Sequence, residues 1–113
     1  MKINGIELEF DFMEVETNKK FEKSAKYIAV KAKDSDEVKK LSRKIEVICG
    51  AIKEGFDIIF GNGTGVEVCG EENNLIKCMH AYNELMEEKC RQDKILDAET
   101  KKFKELLKNG IPD

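Results

Sequence analysis

Apolar and polar residues alternate along the first part of the chain, which predicts a β-hairpin over residues 1–12. The dipeptide Asn4-Gly5 is a strong signal for a two-residue type I′ turn, because both central positions of that turn need a positive φ. Such a turn pairs Ile3 with Ile6. The alternation then places these apolar residues on one face: Met1, Ile3, Ile6, Leu8, Phe10 and Phe12.

The second predicted strand is longer than the first, so its distal part lacks a hairpin partner. Unpaired N–H and C=O groups on a strand edge can pair with a strand from another chain. We therefore predict a partner-binding edge, which a second copy or another protein would occupy. Its residues are Ile6, Leu8, Phe10 and Phe12. In the alternative interpretation, helices cover the apolar face while Glu9 and Asp11 keep the edge soluble.

Steps of three and four between apolar residues predict three main helices, over residues 14–33, 35–60 and 73–108. Ser35 is the expected N-cap of the second helix, which carries the longest apolar stripe. Val66–Cys69 is expected to form a short helical turn, and Asn73 or Asn74 to cap the last helix. The predicted fold class is α+β and predominantly helical, with an N-terminal β-hairpin followed by a bundle of three main helices plus a short helical turn. We expect a single domain over residues 1–113.

The last predicted helix is longer than a compact protein of this size is wide. At 1.5 Å per residue it would extend for roughly 54 Å, against a diameter of about 35 Å for a globule of 113 residues. We therefore expect its C-terminal part to protrude, bend or fray. The polar stretch Glu87–Lys102 is expected to be exposed, and Asn109-Gly110 and Pro112 are expected to end the helix.

Charge and hydropathy argue against two classes of partner. The net charge is −3, the pI is about 5.4, and no cluster of Lys and Arg lacks interleaved Glu or Asp. This composition does not favour nucleic-acid binding. No apolar run approaches the roughly 18 residues that a membrane span needs, and the N-terminus has no apolar signal segment. We expect a cytoplasmic protein, with no membrane or nucleic-acid partner.

The residues that could carry chemistry do not form a recognisable motif. The four cysteines, Cys49, Cys69, Cys78 and Cys90, include no C-x-x-C pair and are expected to be reduced thiols. His80 is the only histidine, which does not favour a zinc site or a Cys-His nucleophile. We predict no catalytic, cofactor-binding or metal-binding residues, no cofactor, and no enzymatic activity.

The glycine-rich segment Gly61-x-Gly63-x-Gly65 has some features of a phosphate-binding loop. Such a loop follows a strand and usually ends in Lys-Ser or Lys-Thr. This segment follows a predicted helix and lacks the lysine. We interpret it as a connecting loop.

Two blocks resemble small proteins encoded among the tail genes of phages and prophages of Gram-positive bacteria. The first is Met1–Phe12, and the second is Ile59–Gly65, followed by Gly70 and by Asn74-Leu75. The short Ile3-Asn4-Gly5 hairpin before helices is also similar to that of phage tail assembly chaperones. Those proteins bind the tape-measure protein while tail-tube subunits polymerise around it.

The resemblance implies a role in tail morphogenesis and carries over no catalytic residues. The preferred hypothesis is a non-enzymatic, chaperone-like factor that binds protein partners such as the tape-measure or tail-tube protein. A homo-oligomer is also compatible with a chain this short. The alternatives are a structural virion or tail-completion subunit and a small regulator that acts through protein contacts.

Overall fold

In the computed structural model, which describes residues 1–110, a short hairpin packs on four helices. The predicted α+β, predominantly helical fold is confirmed. The elements are β1 (Lys2–Ile3), β2 (Ile6–Glu7), α1 (Val15–Ser35), α2 (Leu41–Phe60), α3 (Thr64–Cys69) and α4 (Leu75–Lys108).

The hairpin has the predicted register and turn. Ile3 pairs with Ile6, and the chain turns at Asn4 and Gly5, whose φ angles are 47° and 82°. The side-chain amide of Asn4 donates hydrogen bonds to the carbonyl groups of Val68 (2.7 Å) and Lys77 (3.2 Å). The turn is therefore fixed to the start of α4 as well as to its own strands.

The predicted start of the second helix at Ser35 is wrong. Ser35 is the last residue of α1, and α2 begins six positions later, at Leu41. The Ser35 hydroxyl is buried and donates to the carbonyl of Ala32 at 2.6 Å, a local bond that a serine inside a helix can make. Ser35 therefore completes α1, and Lys40 occupies the N-cap of α2 without a side-chain capping bond.

Helices α1 and α2 approach closely at Gly55. A Cβ atom on Gly55 would lie only 2.5 Å from Cδ1 of Ile28 and 2.8 Å from the Ser24 hydroxyl. That hydroxyl donates a hydrogen bond of 2.9 Å to the Gly55 carbonyl inside the core. The absence of a side chain at Gly55 thus permits the close packing of the two helices, whereas Gly50 faces open space.

The glycine-rich segment is a connection, but it is shorter than predicted. Helix α3 already begins at Thr64, so Gly65 is helical. Gly65 lies against α2, where a Cβ atom would be 2.2 Å from the Lys53 carbonyl oxygen. Its N–H donates to the Asp57 carboxylate at 2.8 Å. The third glycine therefore serves packing between α3 and α2.

The hydrophobic core lies around the C-terminal half of α2. Leu41, in the first turn of α2, is exposed, so the apolar stripe enters the core only further along. Every other element except β2 contributes fully buried residues. The core residues are Ile3, Phe12, Phe21, Ile28, Cys49, Ile52, Phe56, Ile59, Val68, Cys69, Cys78, Ala81 and Leu85.

The molecule is elongated because the end of α4 protrudes from this core. Its extents are 67 × 30 × 21 Å, and its radius of gyration is 17.7 Å, against roughly 13 Å for a compact chain of this length. Residues 101–110 are all exposed, and so are residues 94–99. Helix α4 ends at Lys108, and the predicted stop at Pro112 lies outside the described residues.

Candidate protein-binding surface

The extended segment that follows β2 is held by the side chain of Gln92 from α4. The carboxamide of Gln92 donates to the Phe10 carbonyl at 2.8 Å and accepts from the Phe12 N–H at 2.8 Å. A neighbouring β-strand would supply the same pair of bonds. The predicted edge is therefore already occupied on this side, by a helix side chain instead of a strand.

The side chains of the predicted partner-binding edge face the core. Phe12 is fully buried and makes edge-to-face contacts with Phe10 and Phe21, at ring-centroid distances of 4.4 and 4.9 Å. Phe10 also contacts Phe60 edge-to-face at 5.3 Å. Ile6, Leu8 and Phe10 are half-buried against the same cluster. Such aromatic contacts stabilise the segment on the body of the protein.

The outer edge of the segment has free backbone groups at Glu9. Among residues 1–110, no protein group bonds to the N–H or C=O of Glu9. The carbonyl of Asp11, further along, accepts bonds from the Glu14 N–H and the Thr17 hydroxyl. Strand addition by a partner remains a prediction, and only this outer edge has backbone groups for it.

A groove of about 270 Å³ lies where the extended segment meets α4. The exposed apolar side chains of Met13 and Ile95 form part of its walls, together with Phe10. Arg91 stands at its rim and donates to the Glu88 carboxylate at 2.6 Å. This hydrogen bond holds the pKa of Glu88 below its usual range. The groove thus combines apolar walls with an ion pair beside it.

Exposed large apolar side chains concentrate at this groove and beyond it along α4. Within residues 1–110, seven of the twelve such residues lie either at positions 13–15 or at positions 95–107. They are Met13, Val15, Ile95, Leu96, Phe103, Leu106 and Leu107. Large apolar side chains that are exposed together in one region of a protein surface indicate a contact site. We call the exposed end of α4, residues 95–107, the apolar arm. The groove lies at its base.

The structure brings together three cysteines that are far apart in sequence. Cys49, Cys69 and Cys78 are buried in the core, and Cys78 lies close enough to influence the other two thiols. Burial raises the pKa of Cys49 and of Cys69 to about 12, and the Cys78 contact adds to the effect. The thiols of Cys49 and Cys69 are therefore protonated at neutral pH and are poor nucleophiles or metal ligands. Cys90 is exposed.

The remaining polar candidates lie apart from one another. His80 is exposed and its Nε2 lies 3.1 Å from the Glu84 carboxylate, one helical turn away. Within residues 1–110, no group of three His, Cys, Asp or Glu side chains is placed to hold a metal ion. In the same range, no helix is long and apolar enough to cross a membrane.

Sequence reasoning found the strand segment but missed the α4 side of the surface. Gln92, Arg91 and Ile95 occur in a stretch that reads as a solvated polar helix. The spacing of Glu88, Gln92 and Ile95 by four and three was a weak signal that these residues share one side of α4. Only the tertiary structure shows that Phe10 and Met13 lie beside them.

The fold and this surface define a helical protein with an N-terminal hairpin and a protruding apolar helix. Residues 4–109 match the Family of unknown function (DUF6673), and the chain belongs to that family. No curated protein and no solved structure matches the chain.

Proposed function

We propose that the protein is a non-enzymatic, chaperone-like factor that binds other proteins during phage or prophage tail assembly. The observation that supports protein binding is the apolar arm. Its large apolar side chains are exposed in the part of the chain that the structure describes, with Phe103 and Leu106 at 62% and 70%. The tail-assembly role rests on the resemblance of the hairpin and of the glycine block around Gly61. Such a factor would act in the bacterial cytoplasm.

The groove at the base of the arm is the proposed binding site for the tape-measure or tail-tube protein. An extended partner segment could pair with the free backbone groups of Glu9. A separate apolar side chain of the partner would enter the groove between Met13 and Ile95, on the α4 side of the segment. Backbone pairing supplies affinity, and the groove supplies selectivity for an apolar side chain.

Co-expression with the tape-measure protein of the same tail gene cluster tests this proposal. We expect the two proteins to co-purify. Met13→Asp and Ile95→Asp should each weaken the complex by at least tenfold, because a carboxylate in the groove would lose its hydration on binding. Ile76→Asp is the matched control, since Ile76 is 74% exposed on α4 but lies outside the groove. Equal binding by all three variants would contradict the proposed site.

Mass spectrometry of purified particles tests the chaperone-like role separately. A factor that acts only during assembly should be absent from finished tails. Its presence there in a fixed ratio to the tail-tube protein would overturn the chaperone-like role and indicate a structural virion or tail-completion subunit.

A further inference from the structure

The exposed end of α4 continues the apolar face that the same helix buries in the core. Leu96, Thr100, Phe103 and Leu107 follow one another in steps of four, three and four, which is the spacing of a coiled-coil seam. At about 100° per helical residue, the buried residues Cys78 and Leu85 point within about 30° of the mean direction of this seam. The seam therefore continues the core face, and its large apolar side chains are exposed within residues 1–110.

Charge divides the exposed segment into two unlike halves. Residues 93–99 hold three acidic side chains and one lysine, for a net charge of −2. Residues 101–108 hold four lysines and one glutamate, for a net charge of +3. Asp97 and Lys104, which flank the seam, form no ion pair with another of the described residues. Each half therefore complements the other half of a second, antiparallel copy.

We infer that α4 binds the α4 of a second copy, with the two exposed segments antiparallel about a two-fold axis near residues 101 and 102. In this register, Leu96 of one copy packs on Leu107 of the other, and Thr100 packs on Phe103. Asp97 then lies beside Lys104 of the second copy, and symmetry forms this pair twice. A parallel arrangement would place like charges together along the whole segment.

The shape of the protein fits the same register. Gln92 is the last residue of α4 that bonds to the extended segment, and residue 93 of one copy lies opposite residue 110 of the other. The two exposed segments therefore overlap along their full length, and the two bodies lie at opposite ends. With bodies separated by the paired helices, the dimer would be roughly 105 Å long, from the 67 Å length of one copy and 1.5 Å per helical residue.

The contact is small, so the dimer should be in equilibrium with the monomer. A helix pair of this length buries less than about 1,200 Å², which is in the range of weak and transient complexes. Sedimentation equilibrium of the full chain between roughly 10 μM and 1 mM should therefore show a rising dimer fraction. A monomer throughout this range would overturn the proposal and leave the seam to another protein.

Charge reversal tests the antiparallel register directly. Asp97→Lys and Lys104→Asp should each weaken self-association by roughly tenfold, because each replaces two attractive pairs by two repulsive ones. An equimolar mixture of the two variants should associate again, since both cross pairs are then attractive. Lys101→Asp is the control, because Lys101 carries the same charge but does not flank the seam. A mixture that associates no better than either variant would overturn the register.

A distance measurement provides a test that needs no substitution. Cys90 is the exposed cysteine and the other three are buried, so a nitroxide label should react at Cys90 alone. In the antiparallel dimer, the two labelled residues are about 35 Å apart along the helix axis. Pulsed electron paramagnetic resonance that gives a distance near this value supports the proposal. A distance below about 20 Å would indicate a parallel pair and overturn it.

Discussion

The two ends of α4 carry similar apolar patterns but have opposite surroundings. In the first half, Leu85 is 1% exposed and Cys78 and Ala81 are fully buried by α2, α3 and the hairpin. In the second half, Phe103 is 62% exposed and Leu107 is 57% exposed. The comparison teaches that periodicity identifies the apolar side of a helix, whereas the neighbouring elements decide what covers it.

The change occurs around Gln92, which is the last residue of α4 that hydrogen-bonds to the extended segment. Just before it, the Lys89 ammonium lies 5.9 Å from the Phe12 ring centroid and 5.7 Å from that of Phe21. Lys89 also forms an ion pair of 2.6 Å with Asp93. The aliphatic part of the Lys89 side chain thus covers the edge of the core at this point. The large apolar side chains of the seam beyond it are exposed within residues 1–110.

The largest difference between the halves should come from truncating one apolar residue in each. Leu85→Ala should lower the free energy of unfolding by about 2–5 kcal/mol, because it leaves a cavity in the core. Phe103→Ala should change it by less than about 0.5 kcal/mol, because the Phe103 side chain is mostly exposed and lies outside the core cluster. Denaturant midpoints measured below the concentration of self-association compare the two. Equal losses would show that the arm folds back onto the body.

Removal of the Gln92 side chain, at the boundary between the buried and exposed halves of α4, should have the next largest effect. Gln92→Ala leaves the Phe10 carbonyl and the Phe12 N–H without their partner, at a cost of about 1–3 kcal/mol. Hydrogen exchange at the Phe12 amide should accelerate in step with the loss of stability. Lys94→Ala is the control, since Lys94 is exposed and lies just beyond the boundary. A normal exchange rate at Phe12 would mean that another group protects it.

The thiols provide a pH test of the contrast between buried and exposed positions. Burial raises the pKa of Cys49 and of Cys69 to about 12, whereas an unfolded thiol ionises near its ordinary value of about 8.5. Between these values the unfolded chain binds fewer protons than the folded one, so stability should fall as the pH rises above about 9. Substitution of both cysteines by alanine should reduce this dependence, measured by urea unfolding. Cys90→Ala should leave the dependence unchanged, because Cys90 is exposed.

Local chemistry explains what the sequence predicted correctly. The turn at Asn4 and Gly5 follows from the positive φ that these residues tolerate. Asn74 caps α4 by accepting a hydrogen bond from the Lys77 N–H at 3.0 Å, one of the two caps expected. Ser35 shows the limit of such reasoning, because a serine can bond either to the following helix or to the preceding one.

The α4 side of the surface could not be predicted, because it depends on contacts distant in sequence. Gln92 bonds to backbone groups some eighty positions earlier, and nothing in its neighbourhood indicates that partner. The clustering of Cys49, Cys69 and Cys78 has the same origin. The alternation in residues 6–12 predicted which face of the segment is buried. It did not predict that a side chain of α4 bonds to the edge of that segment.

The smallest expected effect is for Thr100, a residue of the arm that influences the helix mainly through its helix propensity. Thr100→Ala should stabilise the end of α4 by about 0.5 kcal/mol, because alanine has a higher helix propensity and Thr100 has no core contact. Hydrogen exchange of residues 97–107 in dilute protein should slow by roughly twofold, while the denaturant midpoint of the body stays unchanged. The converse substitution in the buried half, Ala81→Thr, should lower that midpoint clearly, because Ala81 has no accessible surface and extra atoms would overpack the core. A fall in the midpoint with Thr100→Ala would show that the arm contributes to the stability of the body.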